Sequence, residues 1–160
     1  MKTGRFVVLE GVEGTGKSTQ GRMLCAWLEA LGLDHVFARE PGGTAVGEAI
    51  RTVVQDRPDL DVPPETELLL YTAARAAFVR DIVRPALARG AWVVADRFSL
   101  STYAYQGYGR ELDLDAVMAI DRFATGGLVP DLYLLLDAPV DIGLGRQARA
   151  GGGPDRIERE

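Results

Sequence analysis

Gly11-Val-Glu-Gly-Thr-Gly-Lys-Ser18 satisfies the spacing G-x-x-x-x-G-K-[ST] at every specified position. A segment of this kind binds phosphate. Glycines without Cβ let successive backbone N–H groups face an anion, and the helix that follows adds partial positive charge at its N-terminus. Lys17 is placed to reach β- and γ-phosphates, and Ser18 to ligate Mg²⁺. The alternative is a Gly-rich turn that happens to carry Lys-Ser, but an apolar run precedes the motif and a helical pattern follows it. The motif fits GTPases, motor ATPases and small-molecule kinases alike. The sequence contains no Asn, which excludes the Asn-Lys-x-Asp motif that reads guanine. Asp96 closes a second apolar run, where a carboxylate can hold Mg²⁺ through water; its plainer role is capping a turn. Asp137 ends a similar run and is read as structural.

An acceptor that is itself a phosphate needs arginines more than a general base, because it is already ionised and brings negative charge. Candidates are Arg39, Arg51, Arg75, Arg97 and a late cluster of Arg146, Arg149 and Arg156. Most of the 18 Lys and Arg are expected to be solvated surface residues; Arg97 stands out because it follows an apolar run beside Asp96. Tyr71 and Arg75 are four apart and share a helix face, with Phe78 seven beyond Tyr71. An aromatic plane beside a guanidinium suits a nucleobase. Periodicity alone favours the plainer arrangement, a core aromatic with Arg75 at its rim.

These residues need elements to hold them. Strands are expected at Arg5–Leu9, His35–Arg39, Ala91–Ala95 and Leu132–Leu136. Helices are expected after the phosphate loop, over 46–55, 65–89, 113–125 and 140–149, with Pro85 kinking or interrupting the long one. In the first helix Met23, Leu24, Trp27, Leu28 and Leu31 read as one face. Continuous apolar strands alternating with helices predict an α/β fold with a parallel sheet covered on both faces. Asp155-Arg-Ile-Glu158 reads as a capping box that opens a further helix.

Composition bounds the rest. The 160 residues are 47% hydrophobic with a net charge of −5, as expected of one globular domain. One Cys excludes an internal disulfide, and one His makes histidine catalysis and multi-histidine metal clusters poor readings. Mild acidity argues against a nucleic-acid partner. No signal peptide or membrane span is visible, so a cytoplasmic location is the expectation.

Five blocks occur in register: Gly11–Ser18, Arg39-Glu-Pro-Gly-Gly-Thr44, Tyr71-Thr-Ala-Ala-Arg75, Asp96-Arg97-Phe98 and Ala104-Tyr-Gln-Gly107. Together they resemble thymidylate kinase, the family that phosphorylates dTMP to dTDP with ATP and Mg²⁺. The resemblance runs from Arg5 to the last residue. It implies a three-layer α/β/α fold of the P-loop NTPase type, with residues 1–160 forming one kinase domain. Four strands are present, and the family's C-terminal part, with a fifth strand and an adenine-contacting loop, is expected to be missing. Gly11, Val12, Glu13, Gly14, Thr15, Gly16, Lys17, Ser18 and Thr19 would bind the ATP phosphates, and Ser18 and Asp96 the metal. Glu13 resembles the carboxylate near the sugar 3′-hydroxyl. Tyr71 would stack on thymine and Arg75 would hydrogen-bond it. Thr102 and Gln106 would face the base edge, and Tyr105 would crowd the 2′ position. Arg51 and Arg97 would hold the acceptor phosphate, with Arg97 towards the donor. Because Gly14 leaves the phosphate loop without an arginine, a lid over about 146–156 would supply one, with Arg149 and Arg156 the favoured candidates. A homodimer is implied, using the helices after the second and third strands. Two other readings stay open here: a P-loop kinase of another nucleotide or metabolite, and a non-catalytic nucleotide-binding fragment.

Overall fold

The structure, a computed structural model, describes residues 4–149. Four parallel strands, β1 (Phe6–Glu10), β2 (His35–Arg39), β3 (Trp92–Asp96) and β4 (Leu132–Leu135), form one sheet in the order β2-β3-β1-β4. Among the described residues, seven α-helices connect or flank them: α1 (Lys17–Ala30), α2 (Ala45–Gln55), α3 (Pro64–Phe78), α4 (Arg84–Ala88), α5 (Ser99–Thr102), α6 (Leu114–Thr125) and α7 (Val140–Arg149). Strand alternation divides the apolar side chains between two faces. Phe6, Val8, Val93 and Ala95 pack with Phe78, Val79, Val83 and Phe98 on one side. Leu9 and Val94 meet Cys25 and Leu28 of α1 on the other. The sheet is therefore the middle of three layers. In register, Leu9 lies opposite Asp96, and Asp96 opposite Arg39, so β1, β2 and β3 all end at one edge. Ligands of open α/β sheets bind outside such carboxyl ends.

Two expectations are corrected. β4 is not a buried strand: Leu132, Leu134 and Leu135 are 49%, 38% and 72% exposed. It pairs with β1 alone, so it is an edge among the described residues, whereas β1 is buried throughout. The apolar face of α1 is narrower than its composition suggests. Gly21, Cys25 and Leu28 turn inward, while Met23, Trp27 and Leu31, successive members of the next i, i+4 row, are exposed. The interruption expected in the long helix over 65–89 is present: a π-helical turn, Val79–Val83, separates α3 from α4. Arg84 N–H reaches back to the Val79 carbonyl there, just ahead of Pro85, so the widened turn interrupts the ladder where proline can supply no N–H.

One helical region carries no legible period. Ser99–Thr102 continues into a π-helical segment, Tyr103–Gly109, whose glycines and tyrosines are weak helix formers. The capping box at 155–158 and Arg156 lie outside the described residues.

Candidate active site

The phosphate loop links the end of β1 to the start of α1, as its spacing demands. Gly11, Gly14 and Gly16 all have positive φ, and Gly16 occupies the N-cap position at φ 95°. Gly14 has a second reason to lack a side chain: a Cβ there would run into the backbone of Gly143 in α7. That contact seats α7 directly on the loop. Lys17 Nζ donates to the carbonyls of Gly11 and Val12, each at 2.8 Å, and Thr15 Oγ1 donates to Val12 O at 2.9 Å. Ser18 Oγ donates to Asp96 Oδ2 at 2.6 Å. Thr19 is exposed on the first turn of α1.

Beside the loop lies a narrow cavity of about 40 Å³, lined by Glu13, Glu40, Pro41, Gln55, Tyr71, Arg75, Arg97, Ser101, Thr102, Tyr105 and Gln106. Six of the seven acceptor-site residues named from sequence are thus gathered from α3, the end of β3, α5 and the π-helical segment. The seventh, Arg51, stands at the margin, with Nη1 donating to Pro41 O at 3.2 Å. Burial lowers the pKa of Arg51, and the nearby Arg39 charge adds to that. Gln55 Nε2 reaches the Tyr71 hydroxyl at 3.3 Å. Gln106 is fixed by its Nε2, which donates to the fully buried Glu67 at 2.8 Å.

At the mouth, Arg97 donates through Nη2 to Glu13 and through Nη1 to Ser101 Oγ at 2.9 Å. Its guanidinium lies 5.5 Å from the centre of the Tyr105 ring, and the Tyr105 hydroxyl donates to Glu13 Oε2 at 3.0 Å. Arg97, Ser101 and Tyr105 also line a second cavity, bounded by Gly11, Val12 and Asp137. Arg97 therefore stands in the wall between the two. From the far side, Arg146 Nη1 points to Gly14 O at 3.4 Å, whereas Arg149 bonds within its own helix, to Gly145 O at 3.0 Å.

Arg75 is the floor of the first cavity rather than its rim. Nε donates to Glu40 Oε2 at 2.8 Å, Nη1 to Thr102 Oγ1 at 2.9 Å and Asp121 Oδ1 at 2.7 Å, and Nη2 to Phe98 O at 3.1 Å. Four of the five guanidinium N–H groups are engaged by these bonds. Burial works against the Arg75 cation, but the charges of Glu40 and Asp121 together outweigh it and raise its pKa. One cation cannot fully compensate two carboxylates. Burial accordingly pushes Glu40 up to about 7 in spite of Arg75, and its Oε1 is buried with no hydrogen-bond partner in the structure.

A stability signature follows from Glu40. An unfolded carboxyl releases its proton near 4.5, while the folded one keeps it until about 7. Between these values the folded chain binds more protons, so stability falls as pH rises through the window, by of order 1 kcal/mol per pH unit at most. Glu40→Gln removes that titration. Thermal melts from pH 5 to 8 should show the parent losing Tm relative to Glu40→Gln as pH rises. Parallel curves would mean that Glu40 is ionised throughout.

Sequence reasoning missed Glu10, Glu40, Gln55 and Ser101. Glu10 and Glu40 sit at or just beyond the carboxyl ends of β1 and β2, and that position was the available signal. Ser101 and Gln55 had none. Among the described residues no cluster of three or more His, Cys, Asp or Glu could hold a metal, and no helix is long and apolar enough to cross a membrane.

Comparison with known proteins bears on this site. The family model for thymidylate kinase matches residues 9–160. The thymidylate kinase of Pseudomonas fluorescens strain Pf0-1 is 52% identical over 158 residues, 99% of this chain and 75% of that protein. That of Prochlorococcus marinus strain MIT 9313 is 53% identical over 165 residues, with the same coverage. The crystal structure of thymidylate kinase from Ehrlichia chaffeensis superimposes with a TM-score of 0.77 at 33% identity, covering 84% of this chain and 72% of that one. The chain thus spans about three-quarters of the length of the curated relatives it matches.

Proposed function

The chain belongs to the thymidylate kinase family, and from that premise we propose how its two sites divide the reaction ATP + dTMP → ADP + dTDP. A phosphate oxygen of dTMP attacks the γ-phosphorus of ATP in line, the bond from that phosphorus to the β,γ-bridging oxygen breaks, and ADP leaves. The observation that carries the assignment is the adjacency of the phosphate loop to a cavity that gathers Tyr71, Arg75, Thr102, Tyr105 and Gln106, with Arg97 in the wall beside both.

The phosphate-loop amides from Gly11 to Thr19 take the donor phosphates, and Lys17 moves from the loop carbonyls to the β- and γ-oxygens. Two hard oxygen donors, Ser18 Oγ and Asp96 Oδ2, converge at 2.6 Å beside the loop. That sparse set fits Mg²⁺, which favours one or two protein oxygens together with phosphates and waters. Bound there, the ion would supply positive charge to offset that of the donor phosphates.

Tyr71 stacks on thymine, Thr102 and Gln106 meet its edge, and Arg75 braces that wall. Glu13 takes the sugar 3′-hydroxyl, and Tyr105 crowds the 2′ position. Arg51 and Arg97 hold the acceptor phosphate. The segment 146–156 acts as a lid that brings Arg149 or Arg156 to the transferred group. Support for the lid is that its stem, α7, already rests on the loop through Gly143 and Arg146. A homodimer in the cytoplasm belongs to the same reading, supported by the exposed Val46 of α2 and Met118 and Phe123 of α6.

The test is ADP formation by the purified chain with ATP and Mg²⁺ and either dTMP, dUMP, dCMP, AMP or no acceptor. Stimulation should be selective for dTMP, with dUMP poorer by about tenfold for want of one methyl group. Equal stimulation by AMP would sink the assignment of the cavity.

A further inference from the structure

Arg97 is held in an uncommon way. Its φ is +75°, a region that a non-glycine residue keeps only where the surroundings impose it. The surroundings here are the last two residues of β1. Arg97 N–H donates to Leu9 O at 2.9 Å, and the next amide, Phe98 N–H, donates to Glu10 Oε1 at 2.9 Å. The Arg97 backbone is fastened on both sides by adjacent residues of a neighbouring strand.

The same carboxylate also governs the side chain. Glu10 is 3% exposed, and its Oε2 lies 2.7 Å from Ser101 Oγ. The Ser101 hydroxyl donates its proton to that oxygen. The lone pairs of Oγ are then left to receive Arg97 Nη1, at 2.9 Å. Ser101 N–H, at 3.3 Å from Oε1, keeps the serine in place. The other Arg97 tether, Glu13, is the group assigned above to the sugar. When dTMP engages Glu13, the Ser101 bond is the directional contact that remains to aim the guanidinium, beside the face of the Tyr105 ring.

We propose that Glu10 is a positioning residue for phosphoryl transfer, acting on Arg97 through the Ser101 hydroxyl. The proposal rests on the reading of Arg97 as the arginine that meets the reacting phosphates. Glu10→Gln isolates the side-chain path, because the glutamine Oε1 still accepts the Phe98 and Ser101 amides. Its Nε2 would face Oγ as a donor, so the hydroxyl proton would lose its acceptor and the chain its anionic anchor.

The test is a set of kinetic cycles on the chain with Glu10→Gln, Ser101→Ala, the pair together, and each in an Arg97→Ala background. Misaiming a catalytic group by about 1 Å costs roughly 10²-fold. Ser101→Ala should therefore lower kcat by about 10²-fold and Glu10→Gln by about tenfold, with KM for ATP within about threefold of the parent. In the Ser101→Ala background Glu10→Gln should add less than about twofold, and in the Arg97→Ala background neither should matter. Effects that multiply, or that persist without Arg97, would overturn the relay and leave a role in folding, which Tm would register in parallel. Should Glu10→Gln fail to fold, Glu10→Asp, which keeps the charge but shortens the reach to Ser101, takes its place in the same cycles, with the same outcomes deciding. An Arg97→Ala variant with parental kcat would instead overturn the reading of Arg97 and the relay with it.

Discussion

Replacing Lys17 with methionine should lower kcat about 10³-fold while leaving the fold intact. Methionine keeps most of the stem and removes only the ammonium. The loss expected for one strong, preorganised electrostatic contact to the transition state is about 3–4 kcal/mol, or 10²–10³-fold, and a full cation belongs at the upper end. The stability cost should be small. Lys17 Nζ donates to two carbonyls of its own loop, but Thr15 Oγ1 also donates to Val12 O, and the loop is anchored at both ends by β1 and α1. Single-turnover ADP formation and a thermal melt on the same sample would separate the two effects. A fall of less than tenfold in kcat would mean that Lys17 remains with the Gly11 and Val12 carbonyls when nucleotide binds.

Lys17 also shows why part of the site could be read without a structure. Eight contiguous residues carry the phosphate loop, and its geometry depends on a strand before it and a helix after it, both visible as local periodicity. His35–Arg39 and Val140–Arg149 were legible for the same reason, and the structure places both elements at those residues. Contacts between distant segments are another matter. Glu10 meets Ser101 across 91 residues, and Arg75 meets Asp121 across 46. Nothing local distinguishes Glu10 from any charged residue that ends a strand. Exposure was illegible too: Leu132-Tyr-Leu-Leu135 reads as buried because apolar composition reports what a strand can tolerate, and only sheet order reveals that β4 has one neighbour. Met23, Trp27 and Leu31 misled in the same manner, since periodicity gives a helix face without saying how wide a strip the sheet covers.

Arg75→Leu should destabilise the chain by about 3–5 kcal/mol, a large part of the 5–15 kcal/mol that holds a typical domain together. A helix-face reading puts Arg75 at the rim of a core. In the structure it is 2% exposed, and it compensates Glu40 and Asp121, whose side chains are 4% and 5% exposed. Leucine fills much of the volume, so the loss comes from charge more than from a cavity. The Asp121 carboxylate and the Glu40 carboxyl, which burial already pushes up to about 7, would be left in a dry site without their cation, and the Phe98 carbonyl and Thr102 hydroxyl would lose a donor. The remedy identifies the cause. Glu40→Gln with Asp121→Asn in the Arg75→Leu background should recover a good part of the stability, because it removes the stranded charges and restores no contact of the guanidinium. Urea denaturation of the parent, Arg75→Leu and the triple variant would measure this. If the triple variant is no more stable than Arg75→Leu, the loss comes from packing and from the Phe98 and Thr102 bonds, and the buried charge balance is not what makes Arg75 necessary. If stability returns but dTMP-stimulated ADP formation does not, Arg75 serves the fold through its charge and the acceptor through its remaining donors and the wall it supports.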